Sequence, residues 1–243
     1  MGGATPWVVN LDLRFPLHSL ITDTYGYSLV PGFATVSSNW LMSDRYITDR
    51  GLVQGVSAVH NLNPTLLIEK IIRERIQDSV YWKEQCFGLT AATLCDRAVD
   101  LKSIGGQYGN QRITPFLCLV FKLIQLQPEE EIILEYLNQK DFKYLRAIAA
   151  FYIRLFYKSE DIYKLLEPLL NDYRKLRIRT TGGVHLTYMD EFVDSLLNEM
   201  RVCDTALPRL AKRVVLEDSE LLDPRTSELQ SEFEEELERE EEE

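Results

Sequence analysis

Pro64-Thr-Leu-Leu-Ile-Glu-Lys-Ile-Ile-Arg-Glu-Arg-Ile76 and the later run Phe116-Leu-Cys-Leu-Val-Phe-Lys-Leu-Ile-Gln-Leu126 decide how this chain folds. Asn63 before Pro64 is a helix start, because Asn caps and Pro suits the first helical position. Leu67, Ile68, Ile71, Ile72 and Ile76 then recur at helical spacing, which predicts one buried face. Thr114-Pro115 repeats the start signal before the second run. That run is apolar on almost every side and reads as a buried central helix. At about 11 residues it is too short to cross a bilayer, which takes about 20. The rest of the chain is expected to pack in layers around it.

Further helices follow outward from that centre. Tyr81 to Phe87 reads as a short helix stopped by Gly88. Thr90 caps the next, with Leu94, Ala98 and Leu101 inward, and Gly105 to Ile113 reads as a tight polar loop. Pro128-Glu-Glu-Glu131 opens a helix whose early carboxylates suit the helix dipole. Asp141 to Tyr157 reads as a long helix with Tyr144, Ile148, Phe151, Tyr152 and Leu155 inward. Ser159 caps a helix from Asp161 to about Lys175, which Pro168 should kink. Alternating segments around Gly182-Gly183, from Arg177 to Tyr188, predict one small β-hairpin. Asp190 to Met200 and Asp204 to Val215 read as two more helices, and Asp223-Pro224 as the end of the domain. The fold class is therefore all-α: a compact domain of about eight to ten helices with one small hairpin.

Charge and composition divide the chain in three. Glu217 to Glu243 holds 14 acidic and 2 basic residues, net -12, while the whole chain carries -11, so the remainder sums to +1. The acidity belongs to the tail, and the totals show no strong basic footprint for nucleic acid. Residues 58–222 are expected to form the domain. Residues 1–57, punctuated by Gly and Pro, read as an irregular or disordered leader, although Trp7 to Phe15 could dock as an apolar stretch. Residues 223–243 read as a solvated tail or a marginal helix, with a capping-box pattern at Ser227 and Gln230, and as dispensable for folding. Met1 to Asn10 lacks the basic start and apolar core of a secretory signal.

Chemistry has few places to reside. Cys86, Cys95, Cys118 and Cys203 fall in expected helices and read as reduced, buried thiols; no CxxC or HxxxH spacing favours zinc. His18, His60 and His185 stand near no nucleophile signature. Gly105-Gly-Gln-Tyr-Gly109 lacks the Lys-Ser/Thr of a phosphate loop and follows a helix rather than a strand, so it reads as a helix stop and loop. No catalytic, metal or cofactor site is expected. Tyr81-Trp82 and Phe142-Lys-Tyr144 mix aromatic and basic residues as single-strand RNA binders do, but amphipathic packing explains them, and Trp82 reads as core. Asn171, Asp172, Tyr173, Arg174 and Lys175 mix polar and aromatic groups with no evident core role. With Arg177 and Arg179 they form the expected partner-binding surface. As an alternative, Arg174, Lys175, Arg177 and Arg179 form the densest basic cluster and could touch RNA phosphate.

Several segments also resemble a known family. Glu69-Lys-Ile-Ile-Arg-x-Arg75, Tyr81-Trp-Lys-Glu-x-Cys-Phe-Gly-Leu89, Gly105-Gly-x-Tyr-Gly109 and Thr114-Pro-Phe-Leu-Cys-Leu119 resemble the pre-mRNA-splicing factor 38 family. So do Leu126-Gln-Pro128, Asp141-Phe-Lys-Tyr144, Leu166-Glu-Pro-Leu-x-Asn-Asp-Tyr-Arg-Lys175, Arg201-Val-Cys-Asp204 and Leu207-Pro-Arg-Leu210. The likeness covers about residues 58 to 222. It implies a nuclear, non-enzymatic scaffold of the spliceosome, associated with the U4/U6.U5 tri-snRNP and needed for spliceosome activation. The implied partners are a matrin-type zinc-finger splicing protein and a splicing factor resembling microfibrillar-associated protein. The leader has no counterpart in the family, whose members begin near residue 50. The Arg/Ser-rich tail that some members carry is missing, which bears against tail-borne RNA contacts.

Overall fold

The computed structural model describes residues 58–225. The readings of the leader, of His18, and of the tail from residue 226, including the Ser227 capping pattern, fall outside them. Among the described residues there are nine α-helices and three two-stranded antiparallel ribbons.

Asn63 accepts a hydrogen bond from the Thr65 amide, but the turn it caps, Pro64–Leu67, is a 3-10 turn. The first α-helix, α1 (Lys70–Asp78), begins only after Glu69. That break rotates the apolar stripe. Ile68, Ile72 and Ile76 are buried, whereas Ile71 is 60% exposed, contrary to the expected five-residue face. Ser79 then caps α2 (Val80–Gln85), and a full capping box at Thr90 and Thr93 starts α3 (Ala91–Val99). Leu94, Ala98 and Leu101 are buried, as expected.

The central helix α4 (Pro115–Leu126) starts at the Thr114 cap, with every residue from Phe116 to Gln125 buried. Gln127 takes a left-handed conformation, φ 42°, and Pro128 bars continuation, so the helix ends there. Then come α5 (Glu130–Asn138) and α6 (Lys143–Phe156), whose residues Ala147 to Leu155 are all buried. The pair α4 and α6 makes the heart of the core; Phe116 meets Phe151 edge-on with ring centroids 5.9 Å apart. Helix α3 touches both members, α1 and α2 lie on α4, and α5 lies on α6. The Tyr136 hydroxyl of α5 donates to the Ala91 carbonyl at 2.6 Å, so even this buried phenol is satisfied.

Trp82 of α2 is half-buried, packing on Phe121 at 5.2 Å with the Lys122 ammonium 5.7 Å from its ring. It belongs to the packing rather than to an exposed stacking platform. Trp82→Ala is expected to cost about 2 kcal/mol, less than full truncation of a core aromatic because the ring is partly exposed. Urea denaturation checks this. A wild-type midpoint with lost RNA binding would make Trp82 a surface contact instead.

Helix α7 (Ser159–Leu166) is cut short at Pro168. Proline has no N–H for the helical ladder and its ring crowds the preceding turn, so the chain tightens into a 3-10 turn, Glu167–Asn171. The expected helix to Lys175 therefore ends at Leu166, the 3-10 turn at Asn171, and Lys175 opens a strand. Ser159 Oγ does not cap α7; it accepts the Ala211 amide. The predicted hairpin is present as β3 (Lys175–Thr180) and β4 (Gly183–Tyr188), in register from Lys175 opposite Tyr188 to Thr180 opposite Gly183. Helix α8 (Met189–Asn198) follows and packs on α6 and on the 3-10 turn.

Two smaller ribbons correct the reading. Gly105 to Ile113 contains the ribbon β1 (Gln107–Tyr108) and β2 (Arg112–Ile113) rather than a featureless loop. The expected helix from Asp204 to Val215 is instead a ribbon, β5 (Arg201–Val202) and β6 (Thr205–Ala206), an extended stretch, and α9 (Arg213–Asp218). Cys203 and Asp204 both take positive φ, 50° and 59°, as a two-residue hairpin turn requires. Pro208 then denies the helix an amide. Cys203 thus sits in a turn, not in a helix. Arg154 of α6 holds the extended stretch: its Nε donates to the Leu196 carbonyl at 2.7 Å and its Nη2 to the Pro208 carbonyl at 2.8 Å.

Candidate partner-binding surface

The strip from Asn171 to Arg179 is anchored from below by one carboxylate. Asp172 follows the 3-10 turn, and its Oδ2 accepts from Arg146 Nη1 at 2.7 Å and from Arg174 Nη2 at 2.6 Å. Its Oδ1 accepts from Arg174 Nε at 2.8 Å. Arg146 also donates from Nε to the Leu137 carbonyl at 2.8 Å, so the same guanidinium satisfies the C-terminus of α5. Burial pushes the Asp172 carboxyl up, but hydrogen bonds from Arg174 and Arg146 outweigh it and hold the group at about 2. Arg174 is further tied to the Lys140 carbonyl. Asp172 and Arg174 therefore have a structural role that the sequence reading denied them. They tie α5, α6 and the root of the hairpin together.

Of the other five residues, four are exposed and Arg179 is half-buried. Asn171 is exposed and Tyr173 is 69% exposed. Along β3, alternation sends Leu176 into the core and puts Lys175, Arg177 and Arg179 on the opposite face. The Lys175 carbonyl accepts from Lys143 Nζ at 2.6 Å, while Arg179 lies over the Tyr108 ring at 3.7 Å. The cross-strand partners on that face are Tyr188, Leu186 and Val184, the last two 59% and 57% exposed. The outcome is a ribbon with three cations along one strand and three apolar or aromatic groups along the other. Sequence reasoning saw the cations and missed Val184 and Leu186. Their alternation with Tyr188, in a strand too far from the centre to be covered, was the available signal.

The ribbon is held in place by glycines. The Ile104 amide donates to the Arg177 carbonyl and the Arg179 amide donates to the Ile104 carbonyl, both at 2.8 Å, joining β3 to the segment before Gly105. A Cβ on Gly105 would overlap the Arg179 carbonyl oxygen, and one on Gly106 the Cys203 carbonyl oxygen. Gly105-Gly106 is thus a backbone crossing point, and a Cβ at either position would force the segments apart.

Elsewhere the chemistry is muted. Burial pushes the thiols of Cys86, Cys118 and Cys203 up to about 12 and raises Cys95, which disfavours the nucleophilic thiolate. His60 Nε2 donates to the Leu155 carbonyl at 3.0 Å, beside a cleft of about 280 Å³ also lined by Arg154 and Tyr157. Among the described residues no group of three or more His, Cys, Asp or Glu is placed to hold a metal ion. No helix there is long and apolar enough to cross a membrane.

The described residues thus form a mostly helical domain that exposes a mixed basic and apolar ribbon. The sequence model of the PRP38 family matches residues 57–220. The chain is 61% identical over 170 residues to pre-mRNA-splicing factor 38 of Schizosaccharomyces pombe, covering 70% of this chain and 81% of that protein. It is 54% identical over 183 residues to pre-mRNA-splicing factor 38A of Xenopus laevis and 51% identical to that of Homo sapiens. Those matches cover 74% of this chain and 59% of either vertebrate protein. The fold matches a chain in the crystal structure of the Snu23-Prp38-MFAP1(217-258) complex of Chaetomium thermophilum. The TM-score is 0.71 at 50% identity, covering 76% of this chain and 98% of that one. The chain belongs to the PRP38 family.

Proposed function

We propose that residues 58–222 form a non-catalytic scaffold domain of the spliceosome, acting in the nucleus with the tri-snRNP during activation. Its partners are short segments of a matrin-type zinc-finger splicing protein and of a microfibrillar-associated-protein-like factor. The observation that carries this reading is the likeness, at 50% identity, to a chain of the solved Snu23-Prp38-MFAP1(217-258) complex. The domain's short helices support it, because their junctions leave grooves and edges that accept a partner segment. The ribbon face with Tyr173, Lys175, Arg177 and Arg179 is the proposed contact, and Asn171 lies at its margin.

The test uses Lys175 and Arg177, since reversing Arg174 would put a second carboxylate against Asp172 and disturb the fold. A Lys175→Glu/Arg177→Glu double variant is expected to lose at least about tenfold in affinity for those partner segments by calorimetry, roughly 1.4 kcal/mol. Its circular dichroism should stay unchanged. Full affinity would move the interface elsewhere. The three cations in line also favour an RNA reading of the same face. In that case affinity for single-stranded RNA falls steeply with salt, and the double variant flattens the slope by about two phosphate contacts. Turnover of any substrate by the purified chain would overturn the scaffold reading.

A further inference from the structure

The ribbon formed by β3 and β4 has an unusual charge environment. From Lys175 to Tyr188 there are three basic residues, one histidine and no carboxylate. Among the described residues, none of Lys175, Arg177 and Arg179 pairs with an acidic side chain. Val184 and Leu186 stand exposed across from Arg179 and Arg177. Several other exposed apolar groups lie beside carboxylates. Val214, Val215 and Leu221 neighbour Glu217, Asp218 and Glu220, while Ile71 and Val80 neighbour Glu74 and Asp78. Those carboxylates are balanced by Lys70, Lys83 and Arg213, whereas the ribbon offers an acidic, apolar segment net positive charge.

The chain carries such a segment. Residues 226–243 contain ten acidic residues and one basic, and their apolar residues are Leu229, Phe233 and Leu237. These recur at intervals of four, the spacing of one helical stripe, about 6 Å along a helix axis. Val184, Leu186 and Tyr188 on one face of β4 recur at about 6.7 Å. Three apolar groups therefore meet three at nearly matching spacing, with glutamates on the flanks of one and cations beside the other. Fully extended, 18 residues reach about 60 Å, whereas a domain of this size has a radius of gyration of about 15 Å. Tail length sets no limit, and chemistry selects the face.

We propose that the acidic C-terminal segment 226–243 docks on the outward face of the β3–β4 ribbon of its own chain. Leu229, Phe233 and Leu237 lie against Val184, Leu186 and Tyr188, and the glutamates face Lys175, Arg177 and Arg179. The ribbon is thus covered when no partner is present, and a partner or RNA reaching it must displace the tail. The contact goes beyond the scaffold reading and holds whichever splicing protein uses this face.

The experiment is backbone amide NMR on the full chain without partner or RNA. Substituting Leu229→Ser, Phe233→Ser and Leu237→Ser together should shift the amides of residues 175–179 and 183–188 while sparing the core. Conversely, Lys175→Glu/Arg177→Glu should move the tail amides toward random-coil positions, and raising salt to about 0.5 M should do the same, because ionic attraction is screened. The proposal falls if the tail substitutions leave the ribbon amides unmoved, or if they shift those around Phe87 or α9 instead. Since no partner is present, failure here leaves the scaffold reading standing, and loss of partner binding by the ribbon variant leaves this contact to be judged by the tail amides alone.

Discussion

Gly106→Ala is expected to cost about 3 kcal/mol or more, which is a large share of the stability of a domain this size. The added methyl would overlap the Cys203 carbonyl and crowd the Asp204 carboxylate. These atoms cannot retreat cheaply. The Gln107 amide donates to Asp204 Oδ2 at 2.7 Å, and the turn at Cys203 and Asp204 is fixed by its two left-handed residues. Gly105→Ala should be at least as severe, since it meets the Arg179 carbonyl and also forces alanine to φ 132°. Gly182→Ala is the control: its nearest neighbours are side-chain atoms at 3.8 and 3.9 Å, and it should stay within about 0.5 kcal/mol of wild type. Urea midpoints of the three variants provide the comparison. A Gly106 variant that melts with the control would mean that the crossing point is not close-packed.

Asp172→Ala is expected to cost about 3–4 kcal/mol, because it leaves Arg146 and Arg174 facing an emptied site, with Arg146 nearly buried. Its effect depends on pH in a defined direction. The carboxyl sits at about 2 when folded, below the ordinary value of about 3.9 for an unfolded chain. The native state therefore gains stability from Asp172 above about pH 4 and loses it as the pH falls from there towards 2. Wild type should lose on the order of 2 kcal/mol through this one group over that window. Asp172→Asn should start lower at neutral pH and show a flatter acid limb in denaturation measured from about pH 6 to 2. A wild-type acid limb in the asparagine variant would assign the pH dependence to other carboxylates.

Much of this architecture was legible because its signals are local. Thr114-Pro115 and Thr90 are start signals written within a few residues of the helices they open. The run from Phe116 to Gln125 is apolar all round and is buried all round. The hairpin around Gly182-Gly183 appeared where alternation replaced the helical period. The family words, quoted from Glu69 to Leu210, belong to the same local level and led to the PRP38 family without coordinates.

The misreadings have a common cause. Leu207, Leu210, Val214 and Val215 mimic a helical stripe, but the left-handed turn at Cys203 and Asp204 and the proline at 208 break the chain first. Ile71 looked inward until the 3-10 turn at Pro64 shifted the phase of α1. Asp172 looked like a surface residue because its partner Arg146 lies 26 residues away.

By itself, then, the sequence determined the helical class, the central helix, the main hairpin, the family, and the charge split between domain and tail. Capping, periodicity and composition are properties of neighbouring residues, and they survive in a list of letters. Only the tertiary structure decided that Gly105-Gly106 is a crossing point, that Asp172 and Arg174 serve the scaffold, and that Val184 and Leu186 stand exposed across from Arg179 and Arg177. Those facts depend on which distant segments meet, and the packing of helices around α4 and α6 sets that with no local mark on the residues involved.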